Sequence, residues 1–334
     1  MFLAKRILQG LLVIWGIVSL LFLIFYTLGD PVQYMVGDKA DAETKAAISK
    51  RFGLDRPLYV QYGKYLNQLA PIGMQEEEAG GGFGFKWPSL GRSYQTNQPV
   101  GSLIMQRLEG TLILASAAIL IAALLGIGLG IFAALRFGSW IDKSILSFSV
   151  LGISAPSFFI GVLVAWIFAV KLRPITGLNV SGHFFEENVF SMGRHIIWQN
   201  LLLPALALGI RPLAVFIQLT RSSMLDVLQS DYIRTAKAKG LSPRRVRLGH
   251  ALRNALNPVL TSATGWFASL LAGAFFIEYI FDWQGIGKLT IDALNTKDFP
   301  VILGCAIFIG AVFVVVSILT DWLYRVLDPR VRLS

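Results

Sequence analysis

Residues Thr111 to Leu135 read TLILASAAILIAALLGIGLGIFAAL, a run without one charged side chain. A helix rises about 1.5 Å per residue, so this run forms a rod of about 37 Å and exceeds the roughly 30 Å of hydrocarbon in a bilayer. Lipid offers no partner to a backbone amide, which makes a helix the conformation such a run must take. Working outward, five further apolar runs of similar length appear: Leu8 to Leu28, Ile145 to Val170, Leu201 to Leu219, Val259 to Phe281 and Val301 to Leu323. The 334-residue chain is 54% hydrophobic and only 15% charged, more apolar surface than a soluble domain of this size buries. These features predict an all-α integral membrane protein with about six transmembrane helices. Arg211-Pro212 interrupts the fourth run, and a charge at mid-span faces a bundle interior or a wet cavity rather than lipid.

The net charge of +10 invites a nucleic-acid reading, but the basic residues lie between the apolar runs, which points to a membrane. The segment from Thr220 to Pro258 sets the orientation. It carries Arg221, Arg234, Lys237, Lys239, Arg244, Arg245, Arg247 and Arg253 against Asp226 and Asp231 alone. With six spans this loop shares a side with Lys5, Arg6, Arg136, Lys143, Arg325, Arg330 and Arg332, so both termini are expected in the cytoplasm. The opposite connections hold fewer basic residues: Lys171, Arg173 and Arg194 in one, Lys288 and Lys297 in another. Lys5 and Arg6 ahead of an apolar run resemble a secretory signal, yet the run is too long and ends in Gly29-Asp30-Pro31 without a small-x-small site; it is read as a retained first span. Cys305 is the only cysteine, which excludes an intramolecular disulfide.

Three regions follow: residues 1–28 as cytoplasmic N-terminus and first span, 29–110 as a partly folded external segment, and 111–334 as a five-helix core containing the loop 220–258. Within the external segment, Asp41 to Phe52 reads as a helix stopping near Gly53. Gln75 to Phe85, with Glu76-Glu77-Glu78 and Gly80-Gly81-Gly82, reads as a solvated insertion. In the second span, Gly126 and Gly130 form a small-xxx-small pair suited to close helix packing.

The basic loop reads DYIRTAKAKGLSPRRVRLGHALRNALNP from Asp231 to Pro258. It predicts two short helices: the first stops at Gly240, the second opens with Ser242 as cap and Pro243 at its first position, and ends before Pro258. On composition alone, a helix pair resting on anionic lipid is the better explanation of such a loop. The residue order adds more. Arg234-Thr235-Ala236-Lys237-Ala238-Lys239-Gly240-Leu241, followed by His250-Ala251-Leu252-Arg253-Asn254-Ala255, resembles the cytoplasmic Glu-Ala-Ala-type loop of permeases of binding-protein-dependent ABC importers, in the dipeptide, oligopeptide and nickel branch. The resemblance extends to Gly29-Asp30-Pro31-Val32, Phe52-Gly53-Leu54-Asp55-Arg56-Pro57, Leu219-Thr220-Arg221-Ser222-Ser223-Met224, Gly285-Ile286-Gly287 and Asp328-Pro329-Arg330. Relative to the general importer motif, Arg234 and Thr235 replace the leading Glu and first Ala, and Arg253 stands where Pro is usual; these departures match the peptide branch.

The resemblance implies a type I importer permease fold in a bacterial cytoplasmic (inner) membrane. It implies a homologous second permease, two cytoplasmic ATPase subunits, an extracytoplasmic binding protein and a peptide substrate, with no nucleic acid. It also implies that residues Arg234 to Leu241 dock on an ATPase, the small Ala236, Ala238 and Gly240 allowing close approach and Lys237 and Lys239 meeting acidic groups. ATP and Mg would belong to those partners, and no cofactor to this chain. In keeping with that, the nearest approach to a phosphate-binding loop, Gly287-Lys288, continues with Leu289 and has Asp282 where a Gly is required. His183, His195 and His250 are scattered, so neither a catalytic nor a metal cluster is expected. Ser154, Ser157, Arg211, Thr261 and Thr264 are candidates for a translocation path, although Ser and Thr in membrane helices commonly bond their own backbone. Glu278 and Asp321, near span ends, read as interfacial residues. Nickel or an oligosaccharide as cargo remains open, as does an ion-coupled carrier or channel, for which paired ionisable residues inside the spans would be the mark.

Overall fold

The computed structural model describes residues 2–28, 32, 41–75, 82–182, 184–187 and 194–327. Gly29-Asp30-Pro31, Glu76-Glu77-Glu78 with Gly80-Gly81, His183 and Asp328-Pro329-Arg330 lie outside these residues. The chain begins with α1 (Phe2–Leu28), then α2 (Ala42–Phe52), α3 (Leu58–Leu69) and an antiparallel hairpin of β1 (Ile72–Gln75) and β2 (Gly82–Phe85). The long α4 (Val100–Leu135) precedes α5 (Trp140–Ser154), α6 (Ser157–Val164, continued by a π-helical stretch Ala165–Lys171) and the single turn α7 (Arg173–Thr176). A short β3 (Phe185–Glu187) and β4 (Arg194–Ile196) pair leads into α8 (Trp198–Leu228). The basic loop holds α9 (Asp231–Ala238), α10 (Pro243–Arg245), a π-helical Val246–Ala251 and α11 (Leu252–Ala255). The chain closes with α12 (Asn257–Gly273), α13 (Phe275–Ile280), α14 (Ile286–Asn295) and α15 (Phe299–Leu327).

All six apolar runs are helical, and two of them are broken. Among the described residues, α1, α4, α8 and α15 are long and apolar enough to cross a membrane, and α5 with α6 makes a fifth span if the bent pair is counted as one. That pair meets at 114°. Pro156 explains the bend: it has no N–H to continue the ladder and holds Ala155 extended at φ −74°, ψ 137°. The run from Val259 to Phe281 is divided at Ala274, where ψ relaxes to 0° and α13 begins.

The chain forms two compact units, residues 3–109 with 288–311, and residues 110–287 with 312–334. In the first, α3 lies on the later part of α1: Phe22 meets Tyr62 at 5.1 Å and Tyr65 at 6.0 Å between ring centroids, and the Ser19 and Tyr62 hydroxyls are 2.6 Å apart. The Asp41 side chain caps α2 through the Thr44 amide, and Gly53 ends that helix at φ 68°, as the sequence predicts. Asp298, nearly inaccessible, accepts the Ser93 hydroxyl at 2.5 Å and the Tyr94 amide at 3.0 Å, tying residues 93–95 to the turn before α15.

The second unit is organised around α8, of whose apolar window 61% is buried against 17% for α1 and 28% each for α4 and α15. The glycine pair read from the sequence is the contact between α4 and α8. A Cβ on Gly126 would lie 2.7 Å from Phe216 Cβ and 3.0 Å from the Leu213 carbonyl, and one on Gly130 would lie 2.8 Å from the Ile217 carbonyl, whereas Gly128 between them faces open space.

Candidate functional site

The basic loop is built on a small core shared with the ends of α4 and α8. Ile233 and Ala236 of α9 turn inward and pack with Ala134, Met224, Val246, Ala251 and Ala255. Asn254 donates to the Tyr232 hydroxyl at 2.8 Å, linking α9 to α11. Gly240 takes φ +74°, the left-handed position that ends α9, and the Leu241 amide returns to the Ala236 carbonyl. Ser242 occupies the cap position with Pro243 after it, but its side chain makes no capping bond. Residues 243–255 continue as one helical stretch and stop before Asn257-Pro258.

This core decides which residues of the predicted docking segment are available. Arg234, Thr235, Lys237, Ala238, Lys239 and Gly240 are exposed, Leu241 is half-buried, and Ala236 is buried. Ala236 is buried in the cluster that also holds Met224 and Val246, so its side chain belongs to the loop's core. The Thr235 hydroxyl returns to the Asp231 carbonyl at 3.0 Å, and Arg234 reaches the exposed Asp231 at 3.3 Å.

Immediately before the loop, Arg221 of α8 holds Asp142 of α5 with two hydrogen bonds, Nε to Oδ1 at 2.6 Å and Nη2 to Oδ2 at 2.8 Å. Asp142 also accepts the Gly138 amide at 3.0 Å, and Ser139 caps α5 through the Asp142 amide. The guanidinium lies over Phe137 at 5.2 Å. The pair fixes the base of the basic loop to the turn between α4 and α5. Sequence reasoning counted Arg221 as a loop charge and as part of the Leu219 to Met224 resemblance, and passed over Asp142. The available signal was Ser139 with an acid three residues on, a helix-start pattern.

At the other end of the second unit, Glu278 is fully buried rather than interfacial. Thr111 donates its hydroxyl to Glu278 Oε1 at 2.7 Å and accepts the Ile286 amide at 2.9 Å. Gly285 leaves no room for a Cβ beside the Glu278 carboxyl, and a Cβ on Gly287 would lie 2.6 Å from Phe275 Cα. The Gly285-Ile286-Gly287 triplet is thus glycine-flanked because it wraps a buried acid and a helix start. The Trp283 indole adds a bond to the Gly110 carbonyl at 2.8 Å.

Three of the five path candidates bond the backbone of their own helices. The Ser154 hydroxyl is exposed but bonds the Val150 carbonyl, Thr261 bonds Asn257, and Thr264 bonds Thr261, each along its own helix. Ser157 is half-buried at the start of α6. Arg211 is exposed on α8 and makes no ion pair with a described residue. No group of His, Cys, Asp and Glu that could hold a metal ion occurs among the described residues.

Several bilayer-length helices, a deeply packed α8 and an exposed basic helix pair at its end define a membrane permease. The comparisons with known proteins assign it further. The chain belongs to the binding-protein-dependent transport system inner membrane component family, whose profile matches residues 126–333, and the N-terminal profile of the same systems matches residues 1–115. It is 34% identical to the dipeptide transport system permease protein DppB of Alkalihalophilus pseudofirmus, over 98% of each chain. It is 37% identical to the di/tripeptide transport system permease protein DppB of Pseudomonas aeruginosa, over 99% of this chain and 98% of the relative. The protein is accordingly a multi-pass, non-catalytic permease subunit of an ABC importer, a class that works with substrate-binding and ATPase partners.

Proposed function

We propose that this chain forms half of the transmembrane path of an ATP-driven importer of di- or oligopeptides in a bacterial cytoplasmic membrane, beside a homologous second permease. Two cytoplasmic ATPases supply the energy through residues 231–258, and both termini lie on their side of the membrane. The observation that carries this reading is the division of α9 into a buried edge, Ile233 and Ala236, and an exposed basic edge, Arg234, Lys237, Ala238 and Lys239. A helix packed on the ends of α4 and α8 and presenting two exposed lysines suits a rigid lever that meets acidic groups of a partner. Lipid contact alone would favour an exposed apolar edge, and α9 has little of one. The test is copurification and peptide-stimulated ATP hydrolysis of the reconstituted complex with Ala238→Arg, bulk added at an exposed and unstrained position. Loss of ATPase association, with the permease pair still assembled in the membrane, supports the reading. Unchanged association and transport defeat it.

Residues 29–110 supply a second contact in the same reading. Ile72, Met74, Phe83, Phe85 and Trp87 are all exposed, and the register pairs Ile72 with Phe85 and Met74 with Phe83 on one face of the hairpin. Such an apolar face suits docking of the substrate-binding protein. Met74→Ser with Phe83→Ser should weaken binding-protein affinity at least tenfold without disturbing membrane assembly; unchanged affinity would remove the hairpin from the docking surface.

A further inference from the structure

The exposed side of α8 differs from that of every other long span. The solvent-accessible residues of α1 include Leu8, Leu11, Leu12, Trp15, Leu20 and Leu23, and those of α4 include Leu112, Leu120, Leu124 and Leu129, the surface expected against lipid tails. On α8 the α5 contact takes Ile210, Ala214 and Arg221, the α4 contact takes Leu213, Ile217 and Thr220, and Phe216 is buried with Val259 of α12. Between Ile210 and Ser222 this leaves exposed Arg211 and Ser222 with half-buried Val215 and Gln218; nearer its N-terminus α8 exposes Trp198 and Leu202. At 100° per residue the steps of 4, 7 and 11 bring all four within about 40° of one line along the helix. Three of the four are polar, and the first is a guanidinium without a described counter-charge.

A full charge against hydrocarbon is costly, so this line faces water, a polar ligand or a polar surface of the second permease. We infer that Arg211 is a binding site for the carboxylate of a peptide in transit, with Gln218 receiving its backbone amides. The inference rests on the importer reading above. Arginine suits a carboxylate because its planar fork gives two parallel charge-assisted hydrogen bonds, which lysine lacks. Gln218 lies about 10.5 Å further along the helix, close to the length of three extended residues. The site therefore fits short peptides with a free C-terminal carboxyl group, and disfavours the same peptides amidated.

The experiment uses the complete complex in proteoliposomes, with both permeases, ATPases and binding protein. It measures maximal uptake rates of trialanine and trialanine amide at saturating binding protein, for the native chain, Arg211→Gln and Arg211→Lys, assembly being checked by copurification. Loss of a hydrogen-bonded charge partner is expected to lower trialanine uptake by Arg211→Gln about ten- to a hundredfold while amide uptake stays within about twofold. The acid-to-amide ratio then collapses, and Arg211→Lys retains part of it. Selection by the binding protein contributes the same factor to every variant, so it cancels in this comparison. An unchanged ratio in Arg211→Gln, including an equal fall in both rates from a lost contact with the second permease, overturns the inference. So does equal uptake of acid and amide by the native complex, a result that needs no variant. Uptake of neither peptide by the native complex would instead strike the importer reading itself.

Discussion

Arg221 and Asp142 face each other as a two-pronged ion pair, with Nε 2.6 Å from Oδ1 and Nη2 2.8 Å from Oδ2, across the contact between α8 and α5. Asp142 is 2% exposed and Arg221 17%, so neither charge has enough water to stand alone. Removing one partner strands the other. Arg221→Leu or Asp142→Leu should each cost about 3 kcal/mol, near the low end for a broken buried pair because Arg221 keeps some solvent. The double replacement should cost less than the sum of the two, since no charge is then left unpaired. Thermal unfolding of the detergent-solubilised complex measures this. Additive losses would show that the two residues act separately.

The glycines of α4 give a comparison within one helix. Gly126→Ala and Gly130→Ala each push a methyl group against backbone of α8, where nothing flexible can yield. Each should destabilise by about 1 to 3 kcal/mol. Gly128→Ala points into open space and should be neutral or slightly stabilising, because alanine loses less freedom than glycine in a helix. The same melting experiment ranks the three, and a Gly128→Ala loss equal to the others would mean that the α8 contact does not set the cost.

Much of this was legible in the sequence, and the reasons for the rest are particular. Apolar runs announce spans because lipid sets their length; Gly240 announces a helix end because it takes a left-handed φ at little cost, and Pro243 and Pro258 mark helix boundaries because their φ is fixed. The 114° bend at Pro156 was also written in the sequence, but an uninterrupted apolar run masked it, since hydropathy carries no information on direction. Glu278 was misjudged for a different reason. Its partner Thr111 lies 167 residues away in the chain, and a carboxyl near a span end reads as interfacial until that partner is known. In α9, Ala236 and Ala238 are the same residue type two positions apart, and only the fold of the 243–255 stretch decides which is buried.

Glu278 and Gly285 should be energetically coupled. Glu278→Ala leaves the buried Thr111 hydroxyl without its acceptor and opens a cavity, a loss of about 2 to 4 kcal/mol. Gly285→Ala drives a methyl into the carboxyl and should also destabilise the native chain. In the Glu278→Ala background the added methyl has space, so its cost should largely vanish. Glu278→Gln keeps an acceptor for Thr111 and should be the mildest change at this position. Melting temperatures of the four proteins test the coupling, and equal costs for Gly285→Ala in both backgrounds would place its effect elsewhere.

Lys237 and Lys239 separate docking from folding. Both side chains are exposed, and Ile233 and Ala236 hold the helix without them. Lys237→Glu with Lys239→Glu should therefore leave stability within about 0.5 kcal/mol, the usual range for surface substitutions away from structural contacts. If the exposed edge meets acidic groups of an ATPase, the reversal replaces attraction with repulsion, and complex formation should weaken by at least tenfold at low salt. Because exposed charges are screened over about 10 Å at 0.1 M ionic strength, the defect should shrink as salt is added. A binding assay between detergent-solubilised permease and ATPase subunits across a salt series measures both effects. A defect that persists unchanged at 1 M salt would mean that shape, through Ala238 and Gly240, sets the contact and that the lysines serve the lipid surface instead.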